Sequence, residues 1–267
     1  MTAMLPGLMF WYGLTLKMTM TAVIVVVASV VVERSGPFIG ALIAALPTAA
    51  GAVYIILAIE HPPPFIAASA VGTVAANAAV ALFALSYAVL AQRRSLLVSL
   101  SGAFVVWFTC AALLRLIEWT PLTAVLLNAT VFTLTIAAGS RFRTDTAGKP
   151  VKTSRADIAW RAGIVALCVA IVTTASYRIG SFASGVFAVF PVAMGSFFVI
   201  LHPRVGGPVA ASVAAHVQAP LIGLGLGYLM VHYLAQPIGV WWSYAAGLSV
   251  GILWNALLWG LRQRRKT

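Results

Sequence analysis

Residues 34–57 and 178–201 are two versions of one segment, RSGPFIGALIAALPTAAGAVYIIL and RIGSFASGVFAVFPVAMGSFFVIL, aligned without a gap at a shift of 144 residues. Nine of the 24 positions are identical: Arg34/Arg178, Gly36/Gly180, Phe38/Phe182, Ala44/Ala188, Pro47/Pro191, Ala49/Ala193, Gly51/Gly195, Ile56/Ile200 and Leu57/Leu201. Both segments are apolar, so shared Ala, Ile and Leu carry little weight. The arginine, the two glycines and the mid-segment proline carry more, because an apolar composition does not require them. Lys17 meets Arg161 at the same shift. Past the core window the match continues at a shift of 143, where Ala67-Ala68-Ser69 answers Ala210-Ala211-Ser212. A chain written twice in this way is expected to fold as two copies of one unit.

That unit belongs in a membrane. Of 267 residues, 62% are hydrophobic and 8% charged, and the mean hydropathy is +1.02; soluble domains carry about 25% charged residues. Apolar runs of about 20 residues predict transmembrane helices. They exclude an outer-membrane barrel, whose strands are about 10 residues long and alternate. The net charge of +12 does not point to nucleic acid. Basic residues cluster in short loops beside the spans, as the positive-inside rule requires, where they attract anionic headgroups. Cys110 and Cys168 lie inside apolar runs and read as packing residues, not as a disulfide or metal framework. The start does not read as a signal peptide: Lys17 lies too far in, and no A-x-A site follows a short apolar core.

Turn chemistry divides the chain into nine predicted helices: 15–33, 36–58, 65–91, 95–116, 120–139, 157–176, 180–201, 208–234 and 239–261. Pro37, Pro121 and Pro208 suit a first helical turn, where the missing N–H costs little. The one long loop, 140–156, holds Arg141, Arg143, Lys149, Lys152 and Arg155. With the N-terminus outside, 14 Lys and Arg fall on the cytoplasmic side and three, Lys17, Arg115 and Arg178, on the other. The opposite orientation inverts that ratio, so the expected topology is nine spans, N-terminus out and C-terminus in, in a bacterial-type inner membrane. Trp11, Tyr12, Trp119, Trp241 and Trp242 fit an outer interfacial belt.

The fold class expected is all-α and polytopic, with two four-helix repeats in inverted topology joined by one extra helix. Repeat 1 covers 1–119, the linking helix and basic loop 120–156, and repeat 2 157–267. The extra helix reverses the direction of the second copy. Inverted repeats about an axis in the membrane plane are the sequence mark of alternating access. A basic residue opening an apolar helix that ends near Arg, followed by Gly and then Pro 11 residues on, occurs twice: Lys17 to Arg34 with Gly36 and Pro47, and Arg161 to Arg178 with Gly180 and Pro191. This pattern, over about half of each copy, resembles the small four-helix GlpM-like inner-membrane proteins. The resemblance implies membrane location and a duplication, and brings no chemistry with it.

Candidate site residues follow from polarity at membrane depth. Pro47 and Pro191, with Thr48 beside the first, stand near the middle of helices 36–58 and 180–201. A mid-helix proline removes a backbone hydrogen bond and kinks or breaks the helix, and interrupted helices at matching positions of two halves mark a transporter's binding site. Ser69, Thr73 and Asn77 form one stripe at helical spacing, answered by Ser212, His216 and Pro220, with Gln218 nearby. Such stripes face protein or water, and interhelical hydrogen bonding is the plainer account of them. His216 is the ionisable residue placed deepest and the candidate for a proton-coupled step. Asn128, with Thr123, Thr130 and Thr133, is expected to line the same region. His61 and His202 each open a His-Pro pair, at opposite ends, so they cannot share a metal.

All five acidic residues, Glu33, Glu60, Glu118, Asp145 and Asp157, fall at loops or helix ends. No carboxylate pair serves acid–base chemistry, no His/Cys/Asp cluster has metal spacing, and no nucleotide glycine motif occurs. The expectation is therefore not an enzyme and no cofactor, but a secondary transporter or flippase-like permease with an unknown small-molecule or lipid-linked substrate. No nucleic-acid partner is expected, and a homodimer is allowed. The alternative is a non-transporting scaffold or accessory subunit.

Overall fold

The computed structural model describes residues 48–143 and 154–264, together with Thr15, Met18, Thr19 and Val23, which are helical. The rest of the helix predicted over 15–33, the segment 36–47 with Pro47, and residues 144–153 of the basic loop lie outside the described residues. Among the described residues the chain is all-helical, without a strand. The elements are α1 (Thr48–Glu60), α2 (Pro63–Leu90), α3 (Leu96–Leu114), α4 (Pro121–Gly139, continued by a 3-10 turn, Ser140–Phe142), α5 (Arg155–Ala188), α6 (Val192–Val205), α7 (Gly207–Leu234) and α8 (Val240–Arg264).

Local chemistry sets these boundaries. Prolines occupy the first turns of α2, α4 and α7, where the absent N–H would have had no intrahelical partner. Two helices open with reciprocal caps. Thr120 and Thr123 exchange backbone-to-hydroxyl bonds at α4, and Ser154 and Asp157 do the same at α5. Gly206, at φ 83°, closes α6 and turns the chain directly into α7; a side chain there would sit in the left-handed region.

Among the described residues six segments are long and apolar enough to cross a membrane: Pro63–Leu90, Leu96–Leu114, Pro121–Phe142, Arg155–Val205, Gly207–Leu234 and Val240–Arg264. Within Arg155–Val205 the chain reverses direction. Gly180 departs from the helix at φ 79°, ψ 174°, and the chain doubles back. Asp157 then pairs with Arg204, and the Arg161 guanidinium lies 5.7 Å from the centre of the Phe197 ring. Large apolar side chains point outward from these helices, among them Leu97, Val105, Leu122, Leu134, Leu167, Trp242 and Leu253. Apolar surface on this scale marks a lipid- or partner-facing exterior. Together with the span lengths it fits a multi-pass membrane protein.

The centre of the bundle is the pair α2 and α7, the most extensively packed in the fold. They run antiparallel. Gly207 lies against the Ala91 carbonyl at one end. Inward from there, Gln218 Nε2 donates to Ala81 O at 2.9 Å and Asn77 Nδ2 to Leu221 O at 2.9 Å. At the other end His232 Nδ1 donates to Ala67 O at 2.8 Å. Both helices have 28 residues, and their starts, Pro63 and Gly207, are 144 residues apart. So are the starts of α3 and α8, Leu96 and Val240. The change to a shift of 143 seen in the small residues near Ser69 does not reach the helix boundaries. Asn77 and Leu221, which touch, are themselves 144 positions apart.

Helix directions sort the charges. The end that carries Ala91, Asp157 and Gly207 also carries Arg93, Arg94, Arg141, Arg143, Arg155, Arg204, Arg262 and Arg264, with Arg161 about two turns in. The far end holds Arg115 and Arg178. Arg143 reaches inward, its Nε donating to Ala215 O at 3.3 Å, and burial lowers its pKa from the ordinary arginine value.

Candidate functional site

The helix expected over 180–201 is broken in the middle. Val189 takes φ −97°, ψ 19°, and Pro191 takes φ −77°, ψ 41°. Pro191 has no N–H to offer Phe187 O, which accepts from Phe190 N at 3.0 Å instead. Val192 N turns back to Phe190 O at 2.7 Å, and the first regular bond of α6 runs from Gly195 N to Pro191 O at 2.8 Å. The N–H groups of Ala193 and Met194 stand ahead of that bond, at a helix N-terminus partway along the arm from Gly180 to Val205. Irregular backbone at membrane depth is tolerated only where protein buries it or it lines a cavity. Here Val186, Ala188, Val189, Pro191, Val192 and Met194 are all buried.

Helix α3 covers the break with aromatic rings. Phe190 packs on Phe104, Trp107 and Phe108 with centroids 5.4, 4.9 and 5.6 Å away, and Trp107 also meets Phe187 at 5.8 Å. Trp107 is fully buried, yet its indole N–H has no hydrogen-bond partner. A buried tryptophan normally finds one. Sequence reasoning did not single out Trp107 or Phe190. In an apolar helix a tryptophan reads as one more hydrophobe, and nothing in its spacing reveals an unmet donor.

The polar candidates divide into two junctions. Thr73 Oγ1 donates to Gly185 O at 2.8 Å, and since its one proton is used there, Tyr54 OH donates to it at 2.7 Å. This ties α1 and α2 to the second arm of the α5 hairpin. Asn77 Nδ2 donates to Leu221 O and, at 3.1 Å, to Asn128 Oδ1; Asn128 Nδ2 donates to Val74 O at 2.6 Å and Ala124 O at 2.8 Å. One turn away Gln218 joins Ala81 O, through Nε2, to the Thr135 hydroxyl, which donates to its Oε1 at 3.0 Å. Asn77, Asn128 and Gln218 therefore form one seam between α2, α4 and α7. In that seam Asn77 Oδ1 is buried without a partner, as is Ser69 Oγ on the same face of α2.

The remaining candidates lie apart from the seam. His216 Nδ1 donates to Ser212 O, one turn back on its own helix, at 2.8 Å, whereas Asn77 turns to Asn128 and Leu221. Thr48 is the first residue of α1, and Pro47 lies outside the described residues. Pro191 sits at the break, two turns along the hairpin arm from Gly185. The two His-Pro pairs do fall at opposite ends. His61 Nε2 donates to Ser176 Oγ at 2.8 Å, because the serine proton goes to Thr173 O, and His202 Nδ1 bonds Tyr87 OH at 2.8 Å. Among the described residues no group of His, Cys, Asp and Glu could hold a metal ion. No family model, curated protein or solved structure matches the chain.

Proposed function

We propose that this chain is a secondary transporter or flippase-like permease of the inner membrane, working by alternating access between two inverted four-helix repeats. The observation that carries this is the buried break at Ala188–Pro191. It falls partway along the arm that runs from Gly180 to Val205. Interrupted helices are how transporters expose backbone groups to a substrate at the midplane. The antiparallel α2 and α7, equal in length and meeting at Asn77 and Leu221, support the inverted relation. The arginine-rich end is the cytoplasmic one by the positive-inside rule. A scaffold that transports nothing is the second reading. It is favoured by Thr73, Asn128 and Gln218, which spend their hydrogen bonds joining helices.

The test needs no substrate. In a Cys110→Ala, Cys168→Ala background, Val189→Cys is treated with a membrane-impermeant maleimide in right-side-out and inside-out vesicles. Alternating access exposes the buried break to each side in turn, so labelling is expected from both. Protection from both sides, with full labelling after denaturation, would favour the scaffold. Labelling from one side alone would also reject alternation.

A further inference from the structure

Arg161 stands inside a segment long and apolar enough to cross a membrane, and among the described residues no carboxylate pairs with it. It lies six residues past Arg155, the start of α5, or about 9 Å along the axis. The interfacial layer of a bilayer is about 5–8 Å thick on each side. With Arg155 among the headgroups, Arg161 therefore sits at the inner edge of that layer. An arginine at such depth pairs with a carboxylate, bonds a backbone carbonyl or reaches a headgroup.

The first two outlets are closed among the described residues. Asp157, one turn back on the same helix, is already engaged: its Oδ2 accepts from Arg204 Nη2 and from the Ser154 N–H. Arg143, which also reaches inward at this face, donates to Ala215 O, but no carbonyl plays that part for Arg161. Its Nε is buried without a hydrogen-bond partner. The contact it has is the Phe197 ring, 5.7 Å from the guanidinium carbon, close to the limit of about 6 Å for a cation over a ring. The side chain as a whole is only partly buried, which keeps it within reach of a lipid.

The flank of α5 beside it can take an acyl chain. Trp160 is exposed, and tryptophans of this kind sit at headgroup level. Gly163, Leu167 and Ile171 continue the same exposed stripe down the helix at three- and four-residue steps. A Cβ added at Gly163 would meet nothing within 4 Å, which leaves a notch between Trp160 and Leu167.

We infer that Arg161, Trp160 and the stripe of Gly163, Leu167 and Ile171 form a binding site for one anionic phospholipid. Its phosphate takes the Arg161 guanidinium, whose planar donors match phosphate oxygens in pairs, and an acyl chain lies along the stripe. The headgroup supplies the negative charge that no side chain described here supplies. The site rests on the membrane location of the chain alone, so the Val189→Cys labelling can come out either way and leave it standing.

The full chain is purified in dodecyl maltoside and titrated with dioleoyl phosphatidylglycerol, dioleoyl phosphatidylcholine and inorganic phosphate, and native mass spectrometry counts the bound lipid. The wild type is expected to hold one phosphatidylglycerol at least about tenfold more tightly than phosphatidylcholine, and Arg161→Gln should weaken it about tenfold or more, the weight of a hydrogen bond to a charged group. Arg94→Gln, which removes an exposed arginine from the same face, should change the affinity less than about twofold. Equal affinities for the two variants would reduce the effect to the general charge of that face and overturn the site. Equal binding of phosphatidylcholine would overturn the anionic class. Displacement of phosphatidylglycerol by inorganic phosphate would give the guanidinium to the free ion and overturn the lipid. A second measurement needs no variant. Phenylglyoxal modifies arginine, and peptide mapping reads Arg161. At about ten times its Kd, phosphatidylglycerol should slow that modification about tenfold, and phosphatidylcholine at the same concentration should not. An Arg161 left unprotected would belong to the Phe197 ring alone, and the proposal would fall.

Discussion

Replacing Gly185 by alanine tests the packing on which the candidate site depends. Gly185 sits on the α5 arm that leads to the break, with its carbonyl accepting from Thr73. A Cβ added there would fall inside the Ser69 carbonyl and come within 3.0 Å of the Thr73 nitrogen. Both obstacles are backbone, so no side chain can swing away. Carbon–oxygen contacts settle at about 3.3–3.6 Å, so α2 and α5 must part by more than about 1 Å. Overpacking of this kind costs about 1–3 kcal/mol, and parting the helices strains the Thr73 bond, worth about 1 kcal/mol. The sum is about 3 kcal/mol, or roughly 6–12 °C in melting temperature for a chain of this size. The assay is thermal unfolding in detergent followed by fluorescence-detected gel filtration. Gly163→Ala, in the same helix with nothing within 4 Å of its added Cβ, is the control and should melt at or slightly above the wild type. A Gly185→Ala protein within about 2 °C of the wild type would refute the close backbone contact between α2 and α5.

Two further outcomes are expected. Gln218→Leu removes both the Ala81 and Thr135 links and should lower stability by about 1–2 kcal/mol, since interhelical bonds in membranes average about 0.6 and reach about 1.7; denaturant unfolding in mixed micelles would measure it. Gly206→Ala, at φ 83° with the Pro208 Cδ 4.0 Å from the added Cβ, should cost about 1–2 kcal/mol through backbone strain alone, and Gly206→Asn should recover part of that loss in the same assay.

Much of this architecture was legible because prolines and caps are local. Pro121 and Pro208 announce two helix starts within a residue or two, Pro37 lies outside the described residues, and Pro191 announces the break, since its missing N–H disrupts any helix around it. The burial of Ser69, Thr73 and Asn77 also followed, because one polar stripe in an apolar helix must turn inward. Their partners did not follow. Thr73, Asn77, Asn128 and Gln218 all bond backbone carbonyls of other helices. Every residue carries such a carbonyl, so residue identity says nothing about which one is reached. His216 bonds the Ser212 carbonyl one turn back on its own helix, a local pairing open to any histidine in a helix. Trp107 was hidden more deeply, because an unmet donor is visible only once its neighbours are known.

The contact between Asn77 and Leu221 has a mechanical meaning. Asn77 stands near the middle of a 28-residue helix, and Leu221 near the middle of another of the same length. Each helix is therefore pinned to its antiparallel neighbour at its balance point, with an arm of roughly 20 Å on either side at 1.5 Å per residue. A tilt of about 10° about such a fulcrum moves the tips of those 20 Å arms by roughly 3.5 Å, opening the pair at one face of the membrane as it closes at the other. The ends that would take up this motion are the Gly207–Ala91 approach at the arginine-rich face and the His232–Ala67 bond at the opposite one.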